Sequence, residues 1–328
     1  MTRVFVTGAT GFIGNRLCNR LVQDGHMVHA MYRNRSKTDN LQHPNIKLFQ
    51  GDIRNSELVT TAMKDCIYVF HMAANAQVWA KRKELFYDIN FKATQIIFDC
   101  AKKLNVKRVV FTSTAGVIGP SKNGQVDEGT VRTIDFFNEY ERTKHLAETL
   151  AKTYVKQGLD IVIVNPTRVY GPGELSVSNS VTKMIKQYLA GGFRFLPGNG
   201  KSIGNYVYVD DVVNGHILAL KQGNAGERYI LGGSNVSYEA FFNKLAEVSN
   251  KKFRMIKLPL TLMIVIANVM LICAKLTGLK PQITPGWVKK FHHNWDVSSN
   301  KAMHELKYDS LSLKEGLIKT INWINRNN

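Results

Sequence analysis

Residues 3–14, RVFVTGATGFIG, run an apolar strand-like stretch straight into a turn with glycine at every third position: Gly8, Gly11 and Gly14. Few folds accept that pattern. A tight passage from strand to helix needs residues that tolerate unusual backbone angles, and a helix start without side chains leaves its N–H groups open to an anion. The G-x-x-G-x-x-G spacing predicts a turn that cradles the pyrophosphate of a dinucleotide, with Thr10, Phe12 and Ile13 completing the loop.

The rest of the chain fits that beginning. Up to about residue 165, short runs rich in Val, Ile and Phe (RVFVT, HMVHAMY, IKLFQ, IYVFHMA, KRVVFTS, DIVIVN) alternate with helix candidates at 12–24, 56–64, 84–103 and 136–157. Strands separated by helices predict βαβ units: an α/β fold of Rossmann type, with a doubly wound parallel sheet covered on both faces. Beyond Pro166 the rhythm gives way to Gly- and Pro-rich loops, with helix candidates near 179–190, 210–222 and 237–249. We therefore expect a dinucleotide-binding domain over 1–165. A smaller, mainly substrate-binding C-terminal lobe follows over 166–328, with segments returning to the first domain.

Bulk properties narrow the partners. The 328 residues are 44% hydrophobic, enough for one large core or two smaller ones. Met1 to Gly14 are expected to enter the fold at once, so no signal peptide is expected. Cys18, Cys66, Cys100 and Cys273 are scattered without metal-ligand spacing, so reduced thiols, a cytoplasmic setting and no metal are expected. The net charge of +19 draws anions, but the basic residues are dispersed and form no nucleic-acid-binding motif. One segment stands apart: Leu258–Ala274, LPLTLMIVIANVMLICA, carries no charge between Lys257 and Lys275. It is short for a bilayer span, and the expectation is a helix packed in the second lobe. The next reading is a helix that rests on the inner face of an anionic membrane or walls a lipid-sized pocket.

Residues with chemistry to offer fall at the ends of the strands. After the second strand the chain places Arg33, with Arg35 and Lys37 close by, where an acid would hold a ribose hydroxyl; arginine there favours a 2′-phosphate, hence NADP(H) ahead of NAD(H). Asp52, followed by Ile53, ends the third strand and is placed to accept from the adenine amino group. In NEYERTKHLAE, Tyr140 and Lys144 share one helix face, which can look toward the carboxyl edge of the sheet. A phenol with a pKa of about 10 approaches working pH when an ammonium stands nearby, so Lys144 is expected to lower the pKa of Tyr140 and to hold the ribose hydroxyls. Thr114, beside Ser113, would bond the substrate oxygen as charge develops on it.

Taken in order, TGATGFIG, GDI, HMAA, FTSTAGVIG, YERTK, NPTRVYGPG and YVYVDDV resemble the extended short-chain dehydrogenases/reductases, also described as NAD-dependent epimerases/dehydratases, over nearly the whole chain. The resemblance implies Thr114, Tyr140 and Lys144 as the catalytic set and Asn90, in YDINFKAT, near the active site. It also implies Ala73 and Ala74 lining the cofactor and Pro166 beside the nicotinamide. Within the family the chain looks most like the branch of dihydroflavonol reductases, hydroxysteroid dehydrogenases and 3-ketosphinganine reductases. Gly204 and Asn205 stand where sugar-nucleotide members usually carry an arginine and an aspartate, so a diphosphate loses its clamp.

The expected activity is NADPH-dependent reduction of a carbonyl on a small hydrophobic substrate: a long-chain lipid ketone such as 3-ketosphinganine, or a steroid- or flavonoid-like ketone. A nucleotide-sugar epimerase or dehydratase is the alternative. From another class comes a non-catalytic NADP(H)-binding sensor. Peripheral contact with an anionic membrane and a homodimer both remain open as partners, and nucleic acid does not.

Overall fold

The computed structural model describes residues 1–34, 38–122 and 124–327; Arg35 and Lys37 lie outside the described residues. The strands β1 (Arg3–Thr7), β2 (Met27–Tyr32), β3 (Ile46–Gln50), β4 (Tyr68–His71), β5 (Arg108–Thr112), β6 (Ile161–Pro166) and β10 (Arg228–Leu231) form one sheet in the order β10-β6-β5-β4-β1-β2-β3. Every pairing in it is parallel. The reversal of direction beside β1 opens a crevice at the carboxyl ends of the strands, where ligands of such sheets bind. The seventh strand, β10, reaches this sheet from beyond residue 165.

Both faces of the sheet are buried, which is why its strands are continuous apolar runs rather than alternating ones. On one side lie α1 (Phe12–Gln23), α7 (Val209–Gln222) and α11 (Asn300–Leu306), closing a core that includes Val6, Leu17, Phe70 and Val164. On the other lie α2 (Ser56–Met63), α4 (Ala93–Lys103) and α5 (Glu139–Lys156), around Phe5, Phe98, Phe111 and Ile163. The helix expected over 84–103 is interrupted: α3 (Glu84–Tyr87) passes through a π-helical turn at Asp88–Lys92 before α4 begins.

The second lobe is built on a three-stranded sheet, β11 (Ser234–Ser237), β9 (Ile203–Tyr208) and β7 (Arg168–Tyr170), covered by α6 (Ser180–Leu189), α8 (Tyr238–Ser249) and α12 (Leu313–Arg326). Its core is aromatic, with Tyr170, Tyr188, Tyr206, Tyr238, Phe241 and Phe242 all buried. A parallel pair, β8 (Phe195–Pro197) with β12 (Ile256–Leu258), leads into α9 (Leu260–Thr277), followed by α10 (Pro285–His292).

The uncharged segment corrects an expectation. It forms α9, but instead of packing inside the lobe it lies on the surface with only 11% of its residues buried. Ala267 and Ala274, seven residues apart, are the only buried positions, so one narrow stripe meets the protein and the wide face does not.

Candidate active site

The glycine turn is a cradle that side chains would fill. Gly8 sits at φ +69°, and a Cβ there would lie 2.8 Å from the Ala73 amide nitrogen; one on Gly14 would meet the Gly8 carbonyl oxygen at 2.2 Å. Gly11 caps α1 without any side-chain bond, so the N–H groups of the first turn, at Phe12 and Ile13, are left for an anionic ligand. Thr10 is half-buried beside them, and Ala73 and Ala74 stand across the turn at the end of β4. A dinucleotide pyrophosphate fits this chemistry.

Arg33 is exposed just past β2, near enough to Asp52 to help hold that carboxyl below its ordinary pKa, though the larger cause is Arg54. Arg54 fills Asp52: its Nε donates to Oδ1 at 2.9 Å and its Nη2 to Oδ2 at 2.7 Å. An adenine amino group would have to share this carboxylate with Arg54. Arg54 was missed because its role comes from pairing within its own turn. Ile53 packs against the core beneath.

A buried chain of hydrogen bonds joins this cradle to α5. Thr7 Oγ1 accepts the N–H groups of Met72 and Ala73, each at 3.1 Å, and meets His71 Nδ1 at 2.8 Å. His71 Nε2 meets Thr94 Oγ1 at 2.9 Å, and Thr94 donates to the Asn90 carbonyl at 2.8 Å. Asn90 Oδ1 accepts from Asn75 N–H at 2.7 Å, and Nδ2 donates to Thr143 Oγ1 at 3.0 Å. The π-helical turn carries Asn90 into this place; such a turn adds one residue and swings its side chain inward. Asn90 is fully buried and its amide is spent on protein atoms, which makes it a positioning residue and not one that meets reacting atoms.

Tyr140 and Lys144 lie one turn apart on α5, whose start is set by Asn138 Oδ1 accepting the Glu141 N–H at 2.9 Å. Thr114 follows β5, and its Oγ1 accepts the Gly116 N–H at 3.1 Å. That leaves its own proton to be given to another oxygen, and the Tyr140 phenol is close enough to feel it. Lys144 is buried, with Nζ 4.2 Å from the centre of the Phe111 ring.

The electrostatics reverse one expectation. Burial, followed by the Glu141 charge, pushes Tyr140 up to about 12 against the pull of the Thr114 bond. Burial also brings Lys144 down to about 7, opposed only by Glu148. Lys144 does not lower the tyrosine, because the desolvation that surrounds both groups removes much of the lysine's own charge near neutrality.

A small cavity of about 50 Å³ adjoins Thr114, walled by Pro166, Arg168, Asn205, Lys290 and Trp295 among others. Beside it a larger one of about 270 Å³ opens between Ile118, Val126, Val131 and Arg132. Between them stands Glu141, fully buried, which accepts from Lys290 Nζ at 2.7 Å and from Arg132 Nη2 at 3.3 Å. It holds the 132–138 loop and α10 onto the helix of Tyr140; sequence reasoning passed over it as one more polar residue of YERTK. The lobe also keeps a guanidinium despite Gly204. Arg168 reaches across from β7, and a Cβ at Gly204 would lie 2.5 Å from its Nη1.

With this geometry in view the chain can be compared with known proteins. The sequence model described as "NAD dependent epimerase/dehydratase family" matches residues 4–232. The chain belongs to that family and is an NAD(P)-dependent oxidoreductase of the extended short-chain type. It is 32% identical to a Synechocystis sp. protein named "Putative dihydroflavonol 4-reductase", covering 97% of this chain and 93% of that one. It is 30% identical to the "Sterol demethylase protein B" of Methylococcus capsulatus, over 79% and 78%. The fold superposes with TM-score 0.80 on UDP-glucuronic acid 4-epimerase of Bacillus cereus in complex with NAD, 25% identical, covering 99% and 97%.

Proposed function

We propose that this protein is an NADPH-dependent reductase of a carbonyl group on a hydrophobic substrate, with long-chain lipid ketones ahead of steroid- and flavonoid-like ketones. The observation that carries the reading is Tyr140: a phenol held protonated by burial, close to the Thr114 hydroxyl that lines a cavity. Reduction of a carbonyl needs a proton donor at the oxygen, and an acid with a pKa of about 12 is in the donating state at every physiological pH.

A nicotinamide held on the Gly8 turn would supply the hydride. Thr114 orients the carbonyl oxygen toward Tyr140, Tyr140 gives it the proton, and Lys144 lies one turn further along the same helix. Arg33, exposed where a 2′-phosphate would lie, supports NADPH over NADH. The names of the Synechocystis and Methylococcus relatives support a reductase acting on a flavonoid- or sterol-like skeleton.

The test is a panel of lipid ketones, steroids and flavonoids offered with NADPH and with NADH. Turnover of at least one ketone with NADPH, lost by about 10²–10⁴-fold in Tyr140→Phe while cofactor binding persists, is the expected result. No turnover across the panel, together with tightly held NAD⁺ in the purified protein and epimerisation of a nucleotide-sugar, would overturn it. That second reading is favoured by the likeness to the Bacillus cereus epimerase and by the guanidinium of Arg168.

A further inference from the structure

From Val248 to Trp295 the chain has no aspartate or glutamate and eight basic residues: Lys251, Lys252, Arg254, Lys257, Lys275, Lys280, Lys289 and Lys290. In the middle of this stretch lies α9. Its outward face is made of Leu262, Val265, Ile266, Val269, Ile272 and Leu276, with Val265 and Ile272 each 58% exposed and Leu276 81%. Asn268, a polar residue among them, donates its amide to its own helix at Ile264 O, 2.9 Å away. A soluble surface helix would show charge there.

We propose that α9 lies in the outer layer of an anionic lipid membrane, its apolar face among the acyl chains and the surrounding lysines on the headgroups. The fold argues against a span. Eighteen residues make a helix of about 27 Å, slightly short of a hydrocarbon core of about 30 Å. More decisively, both ends of α9 are tied to one body. Before it, β12 pairs with β8; after it, α10 packs back on α9, and Trp295 N–H donates to Ile203 O at 2.9 Å. The helix can lie along a surface but cannot send its far end across. Among the described residues Lys252, Lys275, Lys280 and Lys289 form no ion pair, which leaves them for phosphate groups. Since α10 packs on α9 and carries Lys290 in the cavity wall, docking would set the substrate cavity next to the lipid.

The full chain is tested by cosedimentation with phosphatidylcholine vesicles, with and without phosphatidylglycerol. Wild type is expected to pellet with the anionic vesicles. The triple variant Val265→Asp, Val269→Asp, Ile272→Asp should lose that binding while keeping its melting temperature, because exposed sites cost little stability. Lys275→Glu and Lys280→Glu should each weaken binding by about fivefold or more. Aspartate variants that bind as well as wild type would reduce the contact to surface electrostatics and overturn the proposal. So would a wild-type dimer in analytical ultracentrifugation that the aspartates dissociate, with no vesicle binding, since a second copy would then cover α9.

A different observation carries a second inference, which rests on the proposed reductase activity. Arg168 donates from Nη1 to Tyr238 Oη at 2.7 Å and to Tyr206 Oη at 3.2 Å, and its guanidinium stacks near the rings of both and of Phe291. Its Nη2 is buried with no hydrogen-bond partner, and no carboxylate pairs with it among the described residues. A buried guanidinium nitrogen left without an acceptor is costly, and this side chain lines the cavity that also holds Thr114. The geometry points to a carboxylate on the otherwise apolar substrate as the missing acceptor.

The experiment compares 3-oxododecanoate with its methyl ester in wild type, Arg168→Gln and Arg168→Lys. The acid-to-ester ratio of kcat/KM should fall about 10- to 100-fold in the glutamine variant and recover in part in the lysine variant. A purely structural arginine would depress both substrates alike and leave the ratio unchanged, overturning the inference. Reduction of both compounds with no preference in wild type would also overturn it, leaving the reductase reading intact; reduction of neither, nor of any other ketone, would count against the reductase reading itself. Inhibition by UDP in wild type but not in Arg168→Gln would assign the site to a diphosphate and overturn the carboxylate.

Discussion

His71 offers the sharpest test of the buried chain beneath the cofactor cradle. Thr7 Oγ1 already accepts two backbone N–H groups, so its proton must go to His71 Nδ1. Thr94 gives its proton to the Asn90 carbonyl and must accept from Nε2. The network thus fixes a neutral imidazole with its proton on Nε2 and has no acceptor for a second one. Burial, and after it the Lys144 charge, bring His71 from 6.5 down to about 3. The sign follows: the unfolded chain takes up this proton at 6.5 and the folded one near 3, so the stability this group contributes is whole above pH 6.5 and is lost as pH falls from there to about 3. At pH 5 the loss is about 2 kcal/mol. Urea unfolding of wild type and His71→Gln at pH 7 and pH 5 measures it. Glutamine can still accept and donate but cannot be protonated. It should lower stability at pH 7 by about 1–3 kcal/mol and remove about 2 kcal/mol of the acid-dependent loss. Equal losses in the two proteins, or an imidazole seen by NMR to titrate near 6.5, would refute the reasoning.

Three other substitutions probe the site from different sides. Gly8→Ala forces a Cβ to within 2.8 Å of Ala73 N at a φ of +69°, and should weaken NADPH binding by at least about tenfold in a fluorescence titration, with a lower melting temperature. Glu141→Gln strips the buried cations Arg132 and Lys290 of their carboxylate; chemical denaturation should show a loss of about 3 kcal/mol, and turnover should fall with it. Arg33→Ser should raise the KM for NADPH by about 10- to 100-fold and leave that for NADH nearly unchanged, as steady-state kinetics with the two cofactors will show.

Much of this fold was readable because each element announces itself locally. The helix expected over 12–24 is observed at Phe12–Gln23, that over 237–249 at Tyr238–Ser249, and that over 210–222 at Val209–Gln222. Gly8, Gly11 and Gly14 were legible for the same reason, since a turn needs particular residues within a few positions. The His71 chain was not legible, because Thr7 and His71 are 64 residues apart and only the β1–β4 pairing brings them together. The inward swing of Asn90 depends on one extra residue in a helix, which leaves no mark in the hydrophobic period. The pKa of Tyr140 was misjudged on similar grounds: spacing places a lysine near a tyrosine, but only packing decides whether that lysine keeps its charge.

The apolar segment shows where periodicity ends as evidence. A helix that is apolar all round can be a core helix or one solvated by lipid, and sequence alone assigns both the same pattern. What separates them is whether the protein has enough surface to cover it. Here the neighbouring elements cannot. α10, which packs on α9, has eight residues against its eighteen, and only Ala267 and Ala274 of α9 are buried, leaving the Leu262–Leu276 face outside. The acid-free run from Val248 to Trp295 then tells in the same direction, because lysines placed around a helix for water solubility alone would be mixed with carboxylates to limit their mutual repulsion. An uncovered apolar face and unbalanced cations are together what the proposed anionic lipid layer would cover.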